Sequence, residues 1–168
     1  PFTSGLPSWC ISIAFMKAGV LEFGMVYAPV RDELFAGGRL YPATLNNQPV
    51  RKHPGKSIRE GIVAMGYSTR VTPDEFLPMF SRFIKAGGMF YRDGSGALDL
   101  CYVASGQLLG YLEPHINSWD CLAALAIIQA AGLKTNDFLA NDGLTKGNHL
   151  IVGNAEVYAE LLEIYGDE

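Results

Sequence analysis

The stretch from Trp119 to Ala131 decides what this chain can build. It reads Trp-Asp-Cys-Leu-Ala-Ala-Leu-Ala-Ile-Ile-Gln-Ala-Ala and is followed by Gly132. Alanine and leucine favour helix, an acid in the first turn suits the helix dipole, and a glycine supplies the left-handed residue that ends one. From Cys121 to Ile128 this helix has no polar face. A helix that is apolar all round has to be covered on every side. Its small residues let a sheet approach closely, so the chain needs layers on both sides of one helix. The apolar run is far shorter than the ~20 residues that cross a bilayer, and no membrane partner is expected.

The rest of the chain can supply those layers. The first third reads as antiparallel strands: Ser8 to Met16, a turn at Ala18-Gly19, Val20 to Pro29, a turn at Arg31-Asp32, and Glu33 to Ala36 before Gly37-Gly38. Asn46-Asn47 suits a further turn, because Asn tolerates the left-handed region. Lys52 to Arg59 is polar and reads as an exposed connection. Gly61 to Gly66 is a short apolar run that fits a buried strand. Thr72-Pro73-Asp74-Glu75 starts a helix to about Lys85, with a hydroxyl cap, proline at the first position and two acids behind it. Pro78 lies inside it as a possible disturbance. Gly87-Gly88 ends it.

Strand and helix then alternate: strand at Met89 to Arg92, helix at Ala97 to Ala104, strand at Gln107 to Leu112, the apolar helix, strand at His149 to Val152, helix at Glu156 to Ile164. That alternation predicts βαβ units and a largely parallel sheet. The fold class expected is α/β, a layered α+β sandwich with alternating helix and sheet layers. Residues 1–86 form its antiparallel part and residues 87–168 its βαβ part.

Composition excludes several functions. The chain has 168 residues, 49% hydrophobic and 18% charged, enough for a core and against disorder. Its net charge is −4 and no basic block occurs, so no nucleic-acid partner is expected. Three cysteines (Cys10, Cys101, Cys121) without a Cys-x-x-Cys fit a reducing, cytoplasmic setting, and each reads as a small core residue. The phosphate-binding P-loop and the Gly-x-Ser-x-Gly elbow are missing from the sequence. His53, His115 and His149 lack metal-ligand spacing.

In a parallel sheet each strand's carboxyl end and the next helix's amino end share one rim, where ligands bind. Tyr91-Arg92 ends one strand and Gly94-Ser95-Gly96 opens the next helix; Leu112-Glu113 ends another and Asp120 opens the helix after it. These two loops should be neighbours. Together they offer free backbone N–H groups, a hydroxyl and two carboxylates, which suits hydroxyl or anion ligands and a hard cation such as Mg²⁺. Each piece also has an ordinary reading. Asp120 can simply stabilise its helix, the glycine loop can be a tight turn, Asp93 can be a cap, Asp99 reads as a solvated helix residue, Glu113 as a solvated strand end and Trp119 as core.

At these residues the sequence resembles the inositol monophosphatase family. The family's carboxy-terminal signature, Trp-Asp and a small-residue helix ending in Ala-Gly, matches Trp119-Asp120-Cys121-Leu122-Ala123-Ala124 through Ala131-Gly132. Its upstream loop, turn and strand match Gly94-Ser95-Gly96-Ala97, Val103-Ala104-Ser105-Gly106 and Tyr111-Leu112-Glu113. Phe2, Gly5-Leu6-Pro7, Cys10 to Ile13 and Glu22 to Tyr27 extend the match over essentially the whole chain. Gly96 replaces a usual Ala, Ala130 a frequent Glu and Leu133 a frequent Gly.

The resemblance implies Mg²⁺-dependent hydrolysis of a small phosphate monoester, with the metal activating a water and stabilising the phosphate charge. It makes Asp120 a catalytic metal ligand that also touches substrate, Glu113 a partner of substrate hydroxyls, and Gly94, Ser95 and Gly96 the loop whose backbone meets the substrate. Inositol monophosphate is the substrate implied; histidinol phosphate and 3′-phosphoadenosine nucleotides are alternatives, and Gly66 to Arg70 and His115 are the segments expected to choose. A homodimer is implied as well. The family's first acidic motif, Asp-Pro-x-Asp-Gly-Thr, has no match here. The chain begins at Pro1, just past it, and is expected to be a carboxy-terminal portion, inactive alone. A natural truncated binding module is the other reading.

Overall fold

The computed structural model describes residues 1–166. A first sheet is a plain meander of five antiparallel strands in chain order: β1 (Ile11–Lys17), β2 (Val20–Ala28), β3 (Glu33–Gly38), β4 (Tyr41–Leu45) and β5 (Gln48–Pro49). Its tight turns form where the sequence permits positive φ, at Ala18-Gly19 and Asn46-Asn47. Such turns match the twist of the strands they join.

The second sheet begins with β6 (Ile62–Met65). Helix α1 (Pro73–Lys85) follows, closed by a capping box between Thr72 and Glu75 and unbroken by Pro78. Next come β7 (Met89–Tyr91), α2 (Gly96–Ala104), β8 (Gly110–Ile116), α3 (Ser118–Ala130), β9 (Lys134–Thr135), the short α4 (Gly143–Lys146), β10 (Asn148–Gly153) and α5 (Ala155–Tyr165). The strand order is β7-β6-β8-β10-β9. The first three are parallel, as the alternation predicts. β10 runs antiparallel to both its neighbours. The second sheet is therefore mixed. β8, α3 and β9 make a crossover, and the connection after β9 holds a 3-10 turn (Ala140–Asp142) and a one-turn helix in place of a covering helix. β10 returns between them instead.

The layers alternate as expected. α2 and α3 lie between the sheets and α1 and α5 cover the far face of the second sheet. α3 is buried from Cys121 to Ile128 and touches β1 to β4 on one side and α2 on another. A β-carbon on Gly24 of β2 would lie 1.9 Å from the Ala123 carbonyl oxygen, so helix and strand meet backbone to backbone. No helix among the described residues is long and apolar enough to cross a membrane.

Candidate active site

The path from β6 through α1 to β7 adds a strand on one side, and the path through α2 to β8 adds one on the other. The direction of winding reverses across β6, and a crevice opens at the carboxyl ends of such strands. A cleft of about 400 Å³ lies there. It brings together Gly94, Ser95, Gly96, Glu113 and Asp120, all five residues singled out above.

Each is placed by its element. Asp93 Oδ1 accepts from the Ser95 N–H at 3.0 Å, and Gly94 takes φ +91°, so the loop turns sharply into α2. No side chain caps α2, although Ser95 occupies its cap position, so first-turn N–H groups remain available at the cleft. Gly96 packs where a β-carbon would lie 2.9 Å from Ile116 Cδ1 and 3.1 Å from the Tyr111 hydroxyl. Asp120 stands in the first turn of α3, exposed at the cleft wall.

Glu113 is not a solvated strand end. It is 7% exposed, in the middle of β8, because that strand runs on to Ile116 rather than stopping at Leu112. Its carboxylate lies over Gly66, where a β-carbon would sit 2.2 Å from Oε2, and Tyr111 donates a hydrogen bond to it. Burial pushes its carboxyl up to about 7, Asp120 adds to the rise, and the Tyr111 bond, Arg92 and Arg70 oppose it. At neutral pH it can therefore accept a hydrogen bond from a ligand hydroxyl or donate one.

Several neighbours differ from the sequence reading. Asp99 is buried at 3% exposure rather than solvated, because α2 is enclosed between the sheets. Burial, then Asp93, pushes its carboxyl up to about 8. Trp119 is 66% exposed and walls the cleft, since the burial of α3 begins only at Cys121. Cys10 is half-buried at the cleft with Sγ 3.9 Å from Ser95 Oγ, and burial raises its thiol. Tyr67, from the Gly66 to Arg70 segment, and Arg92, at the strand end expected on the rim, also line the cleft; Arg92 Nη2 donates to the Tyr67 carbonyl at 3.2 Å. Gly66-Tyr67 follows the carboxyl end of β6, where the same rim rule applies. Of the segments expected to choose among substrates, Gly66 and Tyr67 reach the cleft, whereas Arg70 and His115 line a separate hollow.

Among the described residues no group of three or more His, Cys, Asp or Glu converges to hold a metal. Asp120 is one hard donor, and this chain's residues alone do not complete a Mg²⁺ site.

The comparisons agree with this architecture. Residues 1–165 match the model of the inositol monophosphatase family. The Nus factor SuhB of Haemophilus influenzae is 36% identical over 164 residues, covering 96% of this chain and 61% of that protein. The Pseudomonas aeruginosa Nus factor SuhB is 31% identical over 165 residues, again 96% and 61%. The crystal structure of extragenic suppressor protein suhB from Bartonella henselae superposes with TM-score 0.90 at 28% identity, over 99% of this chain and 64% of that one. An inositol monophosphatase from Anabaena gives TM-score 0.85 at 28% identity, covering 97% and 66%. The chain thus spans about 61% of the length of the curated relatives it matches. Cleft, topology and comparisons converge, and the chain belongs to the inositol monophosphatase family.

Proposed function

We propose that residues 1–168 are the carboxy-terminal portion of one phosphatase fold that hydrolyses a small phosphate monoester of a polyol, inositol monophosphate first among them. The observation that carries this reading is the meeting, in one cleft, of the uncapped start of α2, the Glu113 carboxyl and Asp120. The Gly94-Ser95-Gly96 backbone and Glu113 hold ligand hydroxyls. Asp120 touches substrate and serves as one ligand of Mg²⁺. The remaining metal ligands belong to an acidic segment preceding Pro1. Pro1 itself lies in the cleft wall beside Gly94, so residues joined to it would enter the cleft directly. The working protein is a cytoplasmic homodimer.

The test is phosphate release from inositol 1-phosphate with Mg²⁺. The 168 residues alone should give none. A chain extended upstream through the acidic motif should turn over, and Asp120→Asn in it should lower kcat/KM by ~100-fold or more, the scale of losing a group that acts on the transition state. An extended chain that binds Mg²⁺ and releases no phosphate from inositol, histidinol or phosphoadenosine substrates sinks the reading. A second reading, a partner-binding module without catalysis, is favoured by the likeness to SuhB relatives that are named Nus factors. The same assay separates the two.

A further inference from the structure

We infer that Tyr111 is a positioning residue for Glu113, holding one carboxyl oxygen so that the other is the one a ligand hydroxyl meets. What that second oxygen meets rests on the phosphatase reading above; the hydrogen bond that fixes the first does not.

Strand geometry brings the two side chains together. Residues i and i+2 of a strand line one face, and Tyr111 and Glu113 are so spaced on β8. Tyr111 belongs to the apolar core between the sheets and is 1% exposed. A tyrosine hydroxyl sealed in such a place needs a partner. Its partner is Glu113 Oε2, to which it donates. Burial keeps the hydroxyl protonated, so it stays the donor.

Two glycines shape the space around this bond. The Gly66 N–H donates to the Leu112 carbonyl at 3.0 Å, which lays the end of β6 beside β8. The Glu113 carboxyl folds over Gly66 and takes the place a β-carbon would fill. Gly96 opens α2, and a β-carbon there would stand 3.1 Å from the Tyr111 hydroxyl oxygen. The hydroxyl thus lies beneath the start of α2 and against Glu113 at once.

The two oxygens of Glu113 are made unequal by this arrangement. Oε2 is engaged by Tyr111 and set against Gly66. Oε1 has no hydrogen-bond partner among the described residues, and unlike Asp99 Oδ1 it is not sealed off. Glu113 lines the cleft, so Oε1 is the atom open to it. The terminal torsion of a glutamate is broad and soft, and a bond to one oxygen removes that freedom. A ligand hydroxyl then meets an oxygen already in place, and less order has to be imposed on binding.

The test has two arms. In NMR spectra of this chain with labelled tyrosine, the Tyr111 hydroxyl proton should be visible and protected. It should exchange with solvent ~5-fold faster or more in Glu113→Ala, the size of one lost hydrogen bond. In the chain extended through the acidic motif, Tyr111→Phe keeps the ring and removes only the hydroxyl. It should raise KM for inositol 1-phosphate ~5-fold with kcat little changed, the pattern of a lost binding contact. With p-nitrophenyl phosphate, which has no polyol hydroxyl, KM should stay at the wild-type value. A residue that merely supports the fold would move both esters alike. An unprotected hydroxyl in the wild-type chain overturns the inference, as does an equal change of KM for the two esters. The wild-type spectrum decides even if Glu113→Ala fails to fold. An unprotected hydroxyl leaves the phosphatase reading standing, whereas an extended chain without turnover sinks that reading and leaves the hydrogen bond to the spectra.

Discussion

At the scale of single residues, two buried acids set how this protein meets pH. Asp99 and Glu113 are held at about 8 and about 7 in the fold, whereas an unfolded carboxyl titrates near ~4. The folded state therefore binds protons more tightly than the unfolded one between those limits. Stability is fully present at low pH and falls as pH rises toward 8. For Asp99 the ceiling on that loss is ~5 kcal/mol. Urea unfolding at pH 5.5 and 8.5 should show the fall in wild type and a smaller one in Asp99→Asn, where Glu113 alone remains. An equal fall in both would put the titration elsewhere. None of this was legible in the sequence. Asp120 and the glycine loop could be placed because the carboxyl-end rule acts on strand order. Asp99 sits one helical turn beyond the loop, and only the tertiary enclosure of α2 tells a buried acid from a solvated one. Trp119 misled for the converse reason: a large aromatic beside an apolar helix faces outward when the helix axis, not its first residue, enters the core.

At the scale of elements, the legible features were those with a local cause. The hydroxyl cap and acidic first turn of α1, the positive-φ turns of the first sheet and the all-round burial of α3 follow from short stretches of sequence. The direction of β10 does not, because it depends on how an irregular connection returns across a sheet. The tightest joint between elements is the one between β2 and α3. Gly24→Ala would drive a methyl to 1.9 Å from the Ala123 carbonyl oxygen, against backbone that cannot rotate away. We expect a loss of ~3 kcal/mol or more by chemical denaturation, above the usual cost of overpacking. A Gly24→Ala protein as stable as wild type would mean that α3 can lift off the sheet.

At the scale of the whole molecule, one surface is unlike the rest. β1 is an edge strand, and Ile11, Ile13 and Phe15 point out of the first sheet with 51%, 57% and 56% of their surface exposed. Apolar side chains on an unpaired edge promote association. Sedimentation of the 168-residue chain should show concentration-dependent self-association, and Ile13→Lys with Phe15→Lys should reduce it. A chain that stays monomeric at tens of micromolar would show that this edge is harmless as it stands.

The arrangement of α3 also bears on how the chain is made. The strands it covers, β1 to β4, leave the ribosome before it, and the helix that shields them comes only after β8. At about 5–20 residues per second, the apolar underside of the first sheet waits several seconds for its cover. Val26, Ala28 and Phe35, fully enclosed in the finished molecule, are the residues left open during that interval. Synthesis of this fold thus contains a built-in delay, during which the nascent first sheet is a natural client for chaperones.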